Sequence, residues 1–281
     1  MPPYDPEVEP MHEGSSWQLR TILVPIDRSA ACRSALDVAI NVARCNGVET
    51  LHLIHAVDPD VFGAVSADLD RQMIEPLIEW GRDLLAAATR HIGDAGLKAT
   101  SEVIEAAPVD AILDTVARIQ ADLVVLATRG RIGIRRILGS VGLAVIAYAP
   151  CSVLAIPEIA PGWDIRRILL PWNRVDEEFS QPVVEMARKR GAELLVLAET
   201  GEDVSAARDF LAGAGVQGGV LRGGSQRIEE AIITAAHQHA VDVVVLFPRP
   251  EDARGVKIDR RSQILLHELH CPLLIVRYAA R

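Results

Sequence analysis

The segment Leu19-Arg-Thr-Ile-Leu-Val-Pro-Ile-Asp27 recurs later in the chain as Ile165-Arg-Arg-Ile-Leu-Leu-Pro-Trp-Asn173. Both copies hold a short and nearly continuous apolar run, which is typical of a strand buried on both faces of a parallel sheet. In the first copy an apolar stretch with helical spacing follows from Ala30 to Asn46, and either Asp27 or Ser29 can cap its first amides. The repeated segment therefore predicts a buried strand that leads directly into a helix.

Two further matches in the same order extend the repeat along the chain. Ala121–Leu126 corresponds to Val241–Leu246, and Pro150–Ile156 corresponds to His270–Val276. Three ordered matches indicate an internal duplication of one folding unit. The repeated prolines lie 146 residues apart but the repeated cysteines only 120, so the second copy lacks 26 residues. Because the copies keep step from the fourth strand onward, most of this loss is predicted between the second and third strands.

Strand and helix patterns alternate through the first copy. After the opening strand and helix, the pattern predicts four more strands with a helix between each consecutive pair. Such alternation is typical of an α/β fold, in which right-handed crossovers cover both faces of a parallel sheet. The predicted segments after the first helix are Leu51–Ala56, Asp68–Ile92, Thr100–Ile104, Pro108–Ile119, Asp122–Ala127, Leu138–Ala147 and Cys151–Ile156.

The repeat divides the chain into two tandem domains. We expect residues 1–17, which are acidic and rich in proline, to be a disordered tail. Residues 18–157 are predicted to form the first domain and residues 165–281 the second. Residues 158–164, which include proline and glycine, are expected to be the linker between them.

Composition excludes several classes of function. The net charge of −9 and the aromatic content of 4% argue against a nucleic-acid-binding protein, which needs a basic excess and stacking aromatics. No apolar run approaches the ~18 residues that span a bilayer, and the first residues lack the apolar core of a signal peptide. The four cysteines form no paired motif, which fits reduced thiols. We therefore expect a cytoplasmic protein without nucleic-acid or membrane partners.

Glycine and arginine are concentrated in the loop after the fourth strand, which runs Ala127-Thr-Arg-Gly-Arg-Ile-Gly-Ile-Arg-Arg-Ile-Leu-Gly-Ser-Val-Gly142. Ligands of open parallel sheets bind beyond the carboxyl ends of the strands. The glycines let the backbone approach a ligand closely, and the free amides at the helix start near Gly139 and Ser140 favour anions. The loop predicts a phosphate site, although it contains neither of the common glycine-rich nucleotide fingerprints. The alternative interpretation is a tight turn whose arginines are solvated.

Asp27 supplies a second element of the same candidate site. It ends the first strand, and its carboxylate can accept hydrogen bonds from ribose hydroxyls or from the amine of a base. The alternative interpretation is a helix cap for the stretch that begins at Ala30. The combination of Asp27 with the loop is what favours the functional interpretation.

These residues resemble the universal stress protein family in its two-domain form, over nearly the whole chain. The family's opening strand ends in Val-Pro-x-Asp, which stands here at residues 24–27. Its nucleotide-binding members carry Gly-x2-Gly-x9-Gly-Ser/Thr after the fourth strand, and Gly130, Gly139 and Ser140 match the second glycine, the third glycine and the serine. Two departures are Ala127 in place of the first glycine and a second gap of eight residues.

The resemblance implies two Rossmann-like domains, each an open five-stranded parallel sheet of order 3-2-1-4-5. It implies ATP, with Mg²⁺, held between the ends of the first, second and fourth strands, including the second strand end near His55, and the glycine loop. It also implies association through strand five, here within one molecule, so that the second domain replaces the partner of a homodimer. The implied nucleotide-binding residues are Pro25, Ile26, Asp27, Ala56, Leu126, Ala127, Gly130, Arg131, Gly139, Ser140 and Val141.

The second copy has lost the features of a phosphate loop. In step from the cysteines, Pro250, Asp259 and Arg260 stand in place of Gly130, Gly139 and Ser140. Proline removes a backbone donor, and a carboxylate repels phosphate. Asn173 also replaces Asp27. We therefore predict nucleotide binding in the first domain and a degenerate second domain.

No residue pattern predicts a dedicated enzyme. The sequence shows no carboxylate pair for hydrolysis, no nucleophile elbow at Ser140 and no metal-ligand spacing, so no catalytic or metal-binding residue is predicted and any ATP hydrolysis is expected to be slow. The leading hypothesis is a stress-response protein that binds ATP in its first domain. The alternative is a nucleotide-free module for interaction or regulation in the stress response.

Overall fold

A computed structural model describes residues 19–62, 67–128, 131–132, 135–136, 140–157, 162–172, 180–224, 227–247 and 260–277. The first half alternates strands and helices, as its apolar pattern predicts. Ser29 is the N-cap of the first helix and accepts from Cys32 N, and Gly47 ends that helix with a φ of 71°. The elements of this half are β1 Ile22–Pro25, α1 Ala30–Asn46, β2 Thr50–Val57, α2 Ala67–Asp94, β3 Lys98–Glu105, α3 Pro108–Ile119, β4 Leu123–Ala127, β5 Arg131–Ile132, β6 Arg135–Arg136, α4 Ser140–Tyr148 and β7 Ser152–Ile156, with a 3-10 turn at Pro59–Phe62.

The second half repeats the same succession of elements in shorter form. Its second helix, α6, has 14 residues where α2 has 28, which agrees with the predicted loss of chain between the second and third strands. The elements are β8 Arg167–Pro171, α5 Gln181–Arg190, β9 Glu193–Ala198, α6 Gly201–Ala214, β10 Gly218–Arg222, α7 Ile228–Gln238, β11 Val243–Leu246, α8 Arg260–Glu268 and β12 Leu273–Ile275.

All strands except the small β5–β6 hairpin join one ten-stranded sheet of order β10-β9-β8-β11-β12-β7-β4-β1-β2-β3. Within each half the strands are parallel and follow the order 3-2-1-4-5, which confirms the predicted α/β class and sheet order. The halves meet where β7 and β12 pair antiparallel, and we call this pairing the seam. Across it Leu273 lies opposite Ala155, Leu274 opposite Leu154 and Ile275 opposite Val153.

The seam confirms the prediction that the two fifth strands pair within one molecule. Both edges of β7 are occupied, by β4 and by β12, so the open edges of the sheet are β3 and β10. Ser152 strengthens the junction because its buried hydroxyl donates to Arg277 O and accepts from Arg277 N. The Arg277 guanidinium donates to the carbonyls of Ile146, Ala147 and Ala149 at the end of α4, where a cation is favoured.

Helices cover both faces of the sheet. One face packs against α1, α2, α5 and α6 and the other against α3, α4, α7 and α8. Each face has a large apolar core that crosses the seam, and a small separate cluster of Val57, Ile74 and Ile78 lies between β2 and α2. This burial explains why the central strands read as continuous apolar runs. Among the helices of the described residues, none is long and apolar enough to cross a membrane.

Two predictions concern segments that the structure does not describe. The tail predicted at 1–17 lies outside the described residues, as do positions 158–161 of the predicted linker. The division into domains at 18–157 and 165–281 stays a prediction, although each range holds one complete set of five strands in the order 3-2-1-4-5.

Candidate functional site

The carboxyl ends of three neighbouring strands meet at the candidate site. β1 lies between β2 and β4, so Pro25 and Ile26, Ala56, and Leu126 with Ala127 come from adjacent strands. Ile26 extends the β1–β2 pairing by one residue, because its N–H donates to Ile54 O at 2.8 Å. The topology thus brings together the strand-end residues that the sequence predicts.

Asp27 follows β1 directly and is exposed to solvent. Its Oδ1 accepts from Ser29 N at 2.8 Å and from Ser29 Oγ at 2.6 Å. The carboxylate therefore braces the N-cap residue of α1 and does not cap the helix itself. Among the described residues no hydrogen bond or ion pair uses its second oxygen, Oδ2, so Asp27 retains an acceptor for a ligand.

The glycine loop lies mostly outside the described residues. Gly130 and Gly139 are not described, and of Arg131 only the backbone, in the β5–β6 hairpin, is described. Before the loop, buried Thr128 binds β7, because its N–H and its Oγ1 both donate to Ile156 O. After it, Ser140 begins α4 in an exposed position, followed by half-buried Val141. No acidic residue stands in the first turn of α4 that would repel an anion.

His55 connects the end of β1 to α2. Its Nδ1 lies 2.8 Å from Ile26 O, and because a carbonyl only accepts, Nδ1 is the donor. Gly81 of α2 packs against the ring so closely that a Cβ at this position would lie 2.5 Å from His55 Cδ2. The helix therefore reaches His55 only because residue 81 has no side chain.

Trp80, which directly precedes Gly81 in α2, also contacts the His55 ring. The Trp80 and His55 rings form a T-shaped pair, with centroids 5.3 Å apart and planes at 76°. The Arg28 guanidinium lies over the Trp80 ring, 4.6 Å from its centroid, which is within cation–π range. Residues on both sides of Asp27 are thus held, Ile26 by His55 of β2 and Arg28 by Trp80 of α2.

Arg28, Trp80 and Gly81 were not predicted from the sequence. A signal was available, because an isolated glycine inside a helical pattern costs helix stability and commonly has a packing reason. The sequence does not show that Gly81 packs against His55, because His55 lies in another element, the strand β2.

Cys32 lies beside Asp27, and the backbone N–H of Asp27 donates to Cys32 Sγ, with N and Sγ 3.4 Å apart. Burial raises the pKa of the Cys32 thiol to about 11. Burial likewise raises the pKa of the Cys151 thiol to about 12. Both are therefore protonated and unreactive near neutral pH, because the thiolate is the nucleophile. Cys32 is a packing residue of the site.

We expect only Cys45, which is exposed, to react rapidly with iodoacetamide in the native protein. At about pH 8 the thiolate fraction of Cys32 is about one in a thousand, given its raised pKa. Mass spectrometry of the alkylated peptides measures this, with the urea-unfolded protein as the control in which all four cysteines react. Equal labelling rates for Cys32 and Cys45 in the native state would contradict the buried position of Cys32.

The second half differs at the equivalent strand end. Trp172 follows β8 in the position of Ile26, and its N–H donates to Leu197 O as that of Ile26 does to Ile54 O. The Trp172 ring is buried against Phe210 of α6, with centroids 4.8 Å apart. A bulky aromatic pair thus occupies the strand end of the second half. The substituted residues Asn173, Pro250 and Asp259 lie outside the described residues.

Comparison with known proteins gives consistent matches. The model of the universal stress protein family matches residues 18–157. A universal stress protein of Methanocaldococcus jannaschii is 32% identical over 139 residues, which are 49% of this chain and 81% of the relative. A putative universal stress protein of Staphylococcus saprophyticus is 27% identical over 140 residues, which are 49% of this chain and 83% of the relative.

Several solved structures share the fold across both halves. The crystal structure of a universal stress protein from Archaeoglobus fulgidus aligns with a TM-score of 0.74 at 16% identity, over 92% of this chain and 98% of the other. At that identity the match shows the fold alone. The family model matches the first half, and the 32% identical relative from Methanocaldococcus jannaschii is covered over 81% of its length. The chain therefore belongs to the universal stress protein family.

Proposed function

We propose that the chain is a stress-response protein that binds ATP, with Mg²⁺, in its first half. The observation that carries the proposal is the position of Asp27 at the end of β1, between β2 and β4, with Oδ2 not engaged by any described residue. Ligands of open parallel sheets bind at this edge, and a carboxylate acceptor suits the hydroxyl groups of a ribose.

The neighbouring residues are compatible with such a ligand in size and charge. Ala56 and Ala127, at the two flanking strand ends, have small side chains. α4 starts at exposed Ser140 without an acidic residue in its first turn, so its free amides suit a phosphate. Mg²⁺ commonly keeps several waters and binds through phosphates, so it needs no protein cage here.

We propose that the second half replaces the partner subunit of a dimer and does not bind nucleotide. Support comes from the seam, which joins the two fifth strands within one chain. The aromatic pair Trp172 and Phe210 at the equivalent strand end, and the substitutions Pro250 and Asp259, also argue against a second nucleotide site.

A nucleotide-free interaction module is the second candidate function. The observation that favours it is the contact of Asp27 Oδ1 with Ser29, which gives the carboxylate a structural role without any ligand. The two candidate functions differ in whether Asp27 Oδ2 binds a ligand in the native protein.

Titration calorimetry of the full chain with MgATP tests the proposal, after mass spectrometry of small molecules that copurify with it. We expect one ATP per chain, because only the first half retains Asp27 and the glycines. Two sites per chain would contradict the assignment of the second half. Absence of both copurified nucleotide and binding heat would contradict ATP binding and favour the interaction module.

A further inference from the structure

Two contacts hold the turn that carries Asp27, one from β2 and one from α2. His55 Nδ1 donates to Ile26 O, one residue before Asp27, and the Trp80 ring supports the guanidinium of Arg28, one residue after it. His55 and Trp80 also contact each other edge to face. The three consecutive residues 26–28 are therefore held on both sides by one connected cluster.

Gly81 fixes the distance between this cluster and the helix. A Cβ at residue 81 would lie 2.5 Å from His55 Cδ2, which is closer than van der Waals contact allows. The ring has little freedom to move, because its Nδ1 is hydrogen-bonded to Ile26 O and the ring also contacts Trp80. Glycine inside a helix costs about 1 kcal/mol relative to alanine, so this residue is kept at the expense of helix stability. Close packing on His55 is the physical reason the structure offers.

Trp80 also gives the Arg28 guanidinium a partner other than Asp27. Arg28 directly follows Asp27, yet among the described residues no ion pair joins them, and the guanidinium lies over the indole face. An arginine beside a carboxylate otherwise competes with any ligand for its oxygens. The stacking on Trp80 leaves Oδ2 of Asp27 accessible.

We propose that α2 is a positioning element of the nucleotide site. Trp80 of α2 and His55 of β2, which packs against Gly81 of α2, hold the Ile26–Arg28 turn so that Asp27 faces the ribose of a nucleotide. The inference rests on the proposed ATP binding. His55 and Trp80 are positioning residues, since they act through the backbone of Ile26 and through Arg28. Within the described part of the second half no such cluster occurs at this strand end, where the shorter α6 contributes Phe210 against Trp172.

Gly81→Ala tests the proposal in the full chain, with Gly93→Ala in the same helix as the matched control. A Cβ at residue 93 meets nothing within 4 Å, whereas one at residue 81 displaces His55. We expect Gly81→Ala to weaken MgATP binding about tenfold, or about 1.4 kcal/mol, in calorimetry. Gly93→Ala is expected to bind as the parent chain does, and both variants should keep the parent's circular dichroism.

Second substitutions at His55 separate positioning from simple loss of packing. In the Gly81→Ala background, His55→Asn provides space and still offers an N–H to Ile26 O, so we expect most of the affinity to return. His55→Leu provides space without the donor and is expected to leave the affinity low. Equal recovery with leucine would show that the hydrogen bond to Ile26 does not position Asp27, and would overturn the proposal.

Trp80 variants test the other arm of the cluster. Trp80→Phe keeps an aromatic face for Arg28 and should retain most of the affinity, whereas Trp80→Leu releases Arg28 toward Asp27 and should weaken binding several-fold. If the parent chain binds no ATP, the proposed function itself fails. If the parent binds ATP and Gly81→Ala binds equally well, only the role given to α2 fails.

Discussion

Replacement of Ile275 with alanine is expected to lower the free energy of unfolding by about 2–5 kcal/mol. Ile275 belongs to β12, is only 6% exposed and lies opposite fully buried Val153 across the seam. Its side chain packs in the core that crosses from one half to the other. The substitution therefore opens a cavity at the junction on which the ten-stranded sheet depends.

Urea unfolding followed by circular dichroism and tryptophan fluorescence measures this loss. Ile104→Ala is the matched control, because Ile104 is only partly buried and lies in the edge strand β3. The double variant with Val153→Ala should lose less than the sum of the two single variants, since the cavities are adjacent. A loss no greater than that of the control would contradict a buried seam between β7 and β12.

Gly139→Asp is expected to weaken MgATP binding at least about a hundredfold, a change of about 2.7 kcal/mol. Residue 139 directly precedes Ser140, the first residue of α4, so its substitution puts a carboxylate beside the amides proposed to hold the phosphates. Juxtaposition of like charges at a binding surface costs several kcal/mol. Aspartate is also the residue that the second copy carries at the equivalent position, Asp259.

The reciprocal variant Asp259→Gly provides the control. It restores a single glycine in the second half but leaves Pro250 and Asn173, so we expect the stoichiometry and affinity of the parent chain. Calorimetry and an unfolding curve for each variant separate loss of the ligand from loss of the fold. Retained affinity in Gly139→Asp would move the phosphate site away from the start of α4.

Much of the fold followed from apolar patterning. The predicted helix Ala30–Asn46 and the predicted helix Pro108–Ile119 match α1 and α3 residue for residue, since caps and a first-turn proline mark their ends. Strand ends shifted by one or two residues, as at β3, where the predicted Thr100–Ile104 extends to Lys98–Glu105. Both sides of β3 are only partly covered, so apolar alternation marks its limits poorly.

The candidate site was predicted in part. The positions of Asp27 and of the strand ends beside it were predicted correctly, because a parallel sheet brings the carboxyl ends of adjacent strands together. The helix-cap interpretation of Asp27 was wrong, because Ser29 caps α1 and Asp27 braces Ser29. The role of Asp27 as a ligand residue stays a prediction. The sequence did not predict the roles of Arg28, Trp80 and Gly81, because their contacts with one another and with His55 form only when α2 packs on β2.

The sequence by itself determined the class of the fold, and it predicted a duplication and an asymmetry between the copies. Those features are written in local periodicity and in residues at matched positions, which need no knowledge of distant contacts. Only the tertiary structure decided that His55 of β2 and Trp80 of α2 hold the two neighbours of Asp27, and that Arg277 donates to carbonyls at the end of α4. Such contacts join residues far apart in the chain, and their geometry depends on how the helices pack on the twisted sheet.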